Sequence, residues 1–343
     1  IIPCWCDSHT HTVFAGSREG EFIDKLKGFS YAEIAEKGGG ILNSAHKLNE
    51  TIFDELYEAA FARIQQMKLL GTGALEIKSG YGLSVEGELK MLRVIKKLKQ
   101  HAGIPIKASF LGAHTYPAAY KENKAGYLKL IIEEMLPVIA EENLADYVDV
   151  FCEKNFFSVE DTLAICKAAA AYGLRPKLHV NQLSSMGGIE AGIELNSLSL
   201  DHLENLTEEE IKLLGSFKGC STLLPTAAFF LRMTFQPARK LIEAGAAVTL
   251  ASDFNPGSSP SYNMNLVCAI SCIQMKMLPE EVINAATLNG AYAMELEKEV
   301  GSIMVGKNAN LIITKKIPSL PFLFDSFGSN HIQQVMIDGV FIN

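Results

Sequence analysis

His9 and His11 stand one residue apart in the run Asp7-Ser8-His9-Thr10-His11. In extended backbone that spacing points both imidazoles to the same side, where one metal ion could take both. Alone, a His-x-His pair is more often hydrogen-bonded or solvated than metal-bound. Residues far downstream add weight: His179 and Asp253 could complete three imidazoles and one carboxylate. Such a set suits Zn²⁺ or Fe²⁺ and leaves a position for water. Singly, His179 reads as well as a core histidine bonded to backbone, and Asp253 as a helix cap before Asn255-Pro256. All four together favour the metal.

Other candidates surround this set. His202, in Asp201-His202-Leu203-Glu204, could be a further ligand, or an acid/base and oxyanion stabiliser. Arg18, seven residues past His11, could hold a carboxylate bidentately with Tyr81 and His114 nearby, although spacing alone favours a surface arginine. Asn255-Pro256-Gly257-Ser258 offers amides and a carboxamide to a polar ligand, and a tight turn explains it equally well. Lys78, in Glu76-Ile77-Lys78-Ser79-Gly80-Tyr81-Gly82, reads best as one half of a structural ion pair.

These residues need a scaffold that gathers them. β-rich segments at 4–9, 72–79, 104–112, 147–153, 175–180, 197–201, 221–224 and 247–252 alternate with helical patterns. Apolar positions at helical spacing run through 51–70 and stop at Gly71. Ser158 can cap a helix over 159–172, Thr207-x-x-Glu210 is a capping box, and Pro279 suits a first helical turn. Eight such units over about 250 residues predict a (β/α)₈ TIM-type barrel, whose active site lies at the strand C-termini. Five of the eight histidines (His9, His11, His114, His179 and His202) fall at or just past those ends. An open doubly wound sheet would need a glycine-rich turn after its first strand, and here that strand runs into His9-Thr10-His11.

The expected division is a barrel over 1–299 and, over 300–343, C-terminal strands of a small β-sandwich domain. Within the tail, 301–314 and 333–342 read as strands, with turns at Gly306-Lys307-Asn308 and Asp338-Gly339. Two such pieces cannot bury a face alone. The remaining strands are expected upstream of Ile1, since the chain opens like the interior of a longer one and its first residues do not form a signal peptide.

Composition narrows the partners. The 343 residues are 48% hydrophobic and 20% charged, which excludes general disorder. A net charge of −8 argues against nucleic acid and anionic membranes. No apolar run approaches the ~18 residues of a membrane span. Seven scattered cysteines without paired zinc spacing read as buried thiols of a cytoplasmic protein.

Taken together, the motifs resemble those of the imidazolonepropionases, within the amidohydrolase superfamily. The resemblance rests on the His-x-His run, Phe14-Ala15-Gly16-Ser17-Arg18-Glu19, Lys78-Ser79-Gly80-Tyr81-Gly82, Leu111-Gly112-Ala113-His114, Asp201-His202-Leu203 and Ser252-Asp253-Phe254-Asn255-Pro256-Gly257. It runs nearly the whole chain. It implies hydrolysis of the ring amide of 4-imidazolone-5-propanoate to N-formimidoyl-L-glutamate in histidine degradation. It also implies one Zn²⁺ or Fe³⁺ per chain on His9, His11, His179 and Asp253. Arg18, Tyr81 and His114 would hold a small substrate bearing a carboxylate, with Asn255, Gly257 and Ser258 lining the ring end. Asp253 would take the water proton and His202 assist at the carbonyl. A homodimer is also suggested.

Two positions depart from the family pattern. Cys4 stands where a Gly is expected, and Gln182 replaces the Glu of His-x-x-Glu after His179. Gln182 can hydrogen-bond substrate but cannot accept a proton. Three readings therefore stand: this hydrolase, another amidohydrolase such as a deaminase of a nitrogen heterocycle, or a non-catalytic ligand-binding relative. The apparent carboxylate grip of Arg18 and Tyr81 favours the first over the second.

Overall fold

The computed structural model describes residues 1–29, 33 and 39–342. Its strands are β1 (Ile2–Pro3), β2 (Trp5–Asp7), β3 (Thr72–Lys78), β4 (Ile106–Ala113), β5 (Tyr147–Cys152) and β6 (Arg175–Val180). They continue with β7 (Ser199–His202), β8 (Cys220–Leu223), β9 (Val248–Leu250), β10 (Leu311–Thr314), β11 (Ile332–Ile337) and β12 (Val340–Ile342). Strands β2 to β9 follow one another in chain order, each parallel to the next. Helices connect them, which makes the (β/α)₈ barrel expected from the alternation.

Local chemistry explains several element boundaries. Ser158 and Thr207 each accept an N3 backbone N–H, while Asp161 and Glu210 reach back to the cap residue, so both capping boxes form. The helix Val85–His101 starts at Ser84, whose side chain accepts from Gly87 N, and it buries Leu92, Ile95 and Leu98 on one face.

The seam between β2 and β9 is different. β2 leaves the regular ladder after Asp7, whose carboxylate accepts from Ser252 N at 2.9 Å and Ser252 Oγ at 2.6 Å. Beyond it, Asp253 N donates to His9 O at 3.0 Å and His11 N to Phe254 O at 2.8 Å. A single bridge, Thr10 to Phe254, completes the closure. The seam thus ties the His-x-His segment directly to the Asp253 loop.

The tail corrects one expectation. Only Leu311–Thr314 of the segment 301–314 is a strand. The earlier part is held by local turns: Asn308 N donates to Glu299 O, and Lys307 Nζ binds Val300 O and Ser302 Oγ. Strands β11 and β12 form a hairpin through Asp338 and Gly339, both with positive φ. The four-stranded antiparallel sheet has the order β1-β10-β11-β12, so Ile2–Pro3 contributes its edge. No helix among the described residues is long and apolar enough to cross a membrane.

Candidate metal centre and substrate cavity

The strand ends deliver the histidines to one place. His9 and His11 follow β2, His114 follows β4, His179 lies within β6, His202 ends β7 and Asp253 follows β9. Ligand atoms of His9, His11 and His179 all lie within 4.8 Å of one another, and all three residues are buried. Asp253 Oδ1 stands 3.6 Å from His9 Nε2 and 3.5 Å from His11 Nε2. Backbone geometry assists: His202 (φ 87°), Leu203 (φ 65°), Asp253 (φ 51°) and Asn181 (φ 56°) occupy left-handed conformations. Non-glycine residues there are strained, and such strain clusters at functional sites.

Two imidazoles are held from behind by acids. Asp201 Oδ2 is 2.6 Å from His9 Nδ1, and Asp149 Oδ1 is 3.0 Å from His179 Nδ1. Behind the acids sits Lys78, fully buried, 2.7 Å from both Asp149 Oδ2 and Glu76 Oε1 and 3.6 Å from Asp201 Oδ2. Lys177 also binds Glu76 and reaches Ser8 O and Ala293 O at 3.1 Å. The structural role of Lys78 is thus an ionic layer inside the barrel, where branched apolar side chains are usual. Removing one partner would leave a buried charge uncompensated.

The residues present fit a metal ion. His9 Nε2, the nitrogen turned toward Asp253, is buried without a hydrogen-bond partner. Burial holds His9, His11 and His179 well below the usual imidazole range, the neutral ligating form. Acid partners on the far ring nitrogens are the support that metal-binding imidazoles ordinarily have.

The surrounding groups divide into facing and supporting ones. Burial pulls His202 down, but Glu204 at 3.5 Å, Asp253 and Asp201 outweigh it, leaving its pKa above the usual value. His114 is lowered to about 4 by burial and places Nδ1 3.0 Å from Gly80 O. The Gln182 carboxamide lines the site without a hydrogen-bond partner among the described residues, while the backbone carbonyl of Gln182 accepts from Asn205 Nδ2 at 2.6 Å. Asn255 is committed to its own loop: Nδ2 donates to Asp253 O and Ser258 Oγ at 2.7 Å, and Oδ1 accepts from Gly257 N and Ser258 N at 2.8 Å. Ser258 Oγ lies 3.4 Å from Asp253 Oδ2.

A polar recess of about 50 Å³ lies against His11, His179, His202 and Asp253. At roughly 10–15 Å³ per water it holds a few waters. Above it opens a cavity of about 780 Å³ that shares Tyr81, His114, Phe151 and Gln182 with the recess and includes Arg18 and Gly257 in its wall. Arg18 is therefore no surface residue, and it is paired: Glu21 Oε2 accepts from its Nε at 2.9 Å and its Nη2 at 2.5 Å.

Sequence reasoning missed Glu21, Lys25, Asp149 and Glu204. For Asp149 a signal existed. Acidic and basic residues at period two within strands, Glu76/Lys78 and Lys177/His179, mark a charged inward face that a buried Asp on the neighbouring strand must complete.

A barrel with three imidazoles and an Asp at its strand ends defines the amidohydrolase class, and the model of the Amidohydrolase family matches residues 2–342. Members of that family generally use a divalent metal ion. The imidazolonepropionase of Flavobacterium johnsoniae is 58% identical over 342 residues, covering 100% of this chain and 83% of that protein. That of Christiangramia forsetii is 53% identical with the same coverage. The chain belongs to the amidohydrolase family and, within it, to the imidazolonepropionases. Among solved structures, 5-methylcytosine deaminase from Klebsiella pneumoniae liganded with 5-fluorocytosine aligns with a TM-score of 0.78, covering 100% of this chain and 86% of that one. At 16% identity that likeness shows the fold alone, so the deaminase alternative gains nothing from it.

Proposed function

We propose that the chain hydrolyses the ring amide of 4-imidazolone-5-propanoate to N-formimidoyl-L-glutamate, a step of histidine degradation. The observation that carries this reading is a shared cavity: the imidazole cluster at its floor and Arg18 in its wall open into one space. A small ring with a carboxylate arm needs both ends. The relatives at 53–58% identity, named imidazolonepropionase, support the same reading.

His9, His11, His179 and Asp253 would hold one Zn²⁺ or Fe³⁺. Such an ion, when bound, supplies Lewis acidity and makes a water deprotonable near neutral pH. Asp253 takes the proton of the attacking water and returns it to the ring nitrogen as the C–N bond breaks. His202, whose pKa Glu204 helps to hold above the usual imidazole value against burial, donates to the carbonyl oxygen as negative charge develops there. Gln182 orients the ring through its unpartnered carboxamide. Arg18, Tyr81 and His114 bind the substrate, and the loop shaped by Asn255 places Gly257 and Ser258 along it.

All seven cysteines are free thiols, six of them buried, which supports a reducing cytoplasmic setting. The resemblance alone supports a homodimer, which light scattering would read. The decisive experiment supplies the metal-loaded chain with 4-imidazolone-5-propanoate and follows N-formimidoyl-L-glutamate by mass spectrometry. A folded, metal-replete chain that forms none would overturn the reading.

A further inference from the structure

Arg18 does not meet a carboxylate with its usual fork. The Nε/Nη2 edge that grips a carboxylate in two parallel bonds is already on Glu21. Glu21 is itself fixed, because its other oxygen accepts from Gly40 N at 2.9 Å. Only Nη1 of Arg18 is without a hydrogen bond among the described residues.

Lys25 lies about two turns past Arg18, in the helix Glu19–Leu26 that Arg18 precedes, and faces the same cavity. Its ammonium donates to Gly257 O at 3.1 Å and sits 5.5 Å from the centroid of the Phe230 ring. Among the described residues it forms no ion pair. Burial and then Arg18 lower its pKa against the opposing pull of Glu21, which marks a cation short of counter-charge. The two cations also meet at one residue. A Cβ on Gly257 would stand 2.1 Å from Arg18 Nη1, while the Gly257 carbonyl accepts from Lys25. Among the described residues around Gly257, Arg18 and Lys25 face the one carboxylate of Glu21, and Arg232 adds a further cation to the cavity wall, so the excess charge is positive, the complement of a carboxylate-bearing ligand.

We infer that Lys25 is a substrate-binding cation that sets the preference for a carboxylate-bearing ring. Its ammonium takes one carboxylate oxygen, and Arg18, held edge-on by Glu21, offers Nη1 to the other. This rests on the proposed function, since it names the group that reads the propanoate arm.

The test compares Lys25→Met and Lys25→Arg with the unaltered chain on 4-imidazolone-5-propanoate and on its uncharged propanamide analogue. Lys25→Met should raise KM for the propanoate by about ten- to a hundredfold, the value of a charge-assisted hydrogen bond, with a much smaller change in kcat. The loss on the propanamide should be several-fold smaller, and Lys25→Arg should recover most of the KM. Melting temperature and metal content are checked alongside, and Lys25→Gln takes the place of Lys25→Met if that variant fails to fold. An unaltered chain without turnover overturns the proposed function itself. Turnover by the unaltered chain with KM within threefold in Lys25→Met, or an equal loss on both substrates, overturns only the role of Lys25.

Discussion

His9 donates from Nδ1 to Asp201 Oδ2 over 2.6 Å, and this leaves Nε2 as the nitrogen turned toward Asp253. The bond fixes both the tautomer and the ring plane before any ion arrives. His179 is held the same way by Asp149, and the two acids share Lys78.

Asp201→Asn should therefore weaken metal binding by about ten- to a hundredfold without removing a ligand. Competition against a chromophoric chelator measures this. Affinity equal to the unaltered chain would show that the orientation of His9 does not depend on Asp201.

Stripping the metal with a chelator should abolish turnover and lower the melting temperature. Binding to the folded chain alone adds about 2.7 kcal/mol at a metal concentration a hundredfold above Kd. Adding Zn²⁺ or iron back should restore both. A melting temperature indifferent to metal would place the ion elsewhere than the three buried imidazoles.

Gln182→Glu should change kcat by no more than about tenfold, ~1.4 kcal/mol of barrier, because Asp253 and His202 carry the protons. A gain of about a hundredfold or more, the scale of general base catalysis, would show that this position needs a carboxylate.

Gly257→Ala should raise KM by about tenfold, more than it lowers kcat, as for a loss of uniform binding. Its new Cβ would stand 2.1 Å from Nη1 and 2.8 Å from Cζ of Arg18, so the guanidinium must move. Steady-state kinetics decide it: an unchanged KM would separate Arg18 from substrate binding.

Glu210 ties down the segment that carries Gln182: its Oε1 accepts from Asn181 Nδ2 at 2.8 Å and Ser185 Oγ at 2.7 Å. Burial raises its pKa, but Thr207 N–H, Ser185 and Asn181 outweigh that and hold it below the ordinary 4.5. A depressed folded-state pKa gives stability that is present above the unfolded value and lost as pH falls through the folded one. Glu210→Gln should thus melt below the unaltered chain at neutral pH, with the gap closing under acid conditions. A gap constant down to about pH 3 would remove the carboxylate from the account.

The barrel was legible because its signals repeat: eight β-rich segments, each followed by a helical period, allow few other arrangements. The imidazole cluster was legible because period two carries His9 and His11 to one side, and His179 joins them from the inward face of β6. The same rule fails at His202, which follows the inward Asp201 by one residue and would point away. Its left-handed backbone turns it back to the site, and no spacing in the sequence encodes that φ. Lys25 was missed for a different reason. A lysine on a short amphipathic helix looks like any solvated charge until Gly257, more than two hundred residues later, is placed against it. The tail was over-read because β-prone residues at 301–310 are held in local turns by Lys307 and Asn308.

The seam also has a consequence in time. Thr10 waits for Phe254, roughly 240 residues later, and Ile2 waits longer still for Ile312. At about 5–20 residues per second, a ribosome needs roughly 12–50 s between the two halves of the first bridge. Throughout that interval a nascent β2 has no β9 to pair with, and Glu76 and Lys78 emerge well before Lys177 and Asp149. The newborn chain thus carries unmatched charges until Lys177 is made and an open β2 edge until β9 follows, an interval in which it is exposed to mispairing and to capture by a holding chaperone.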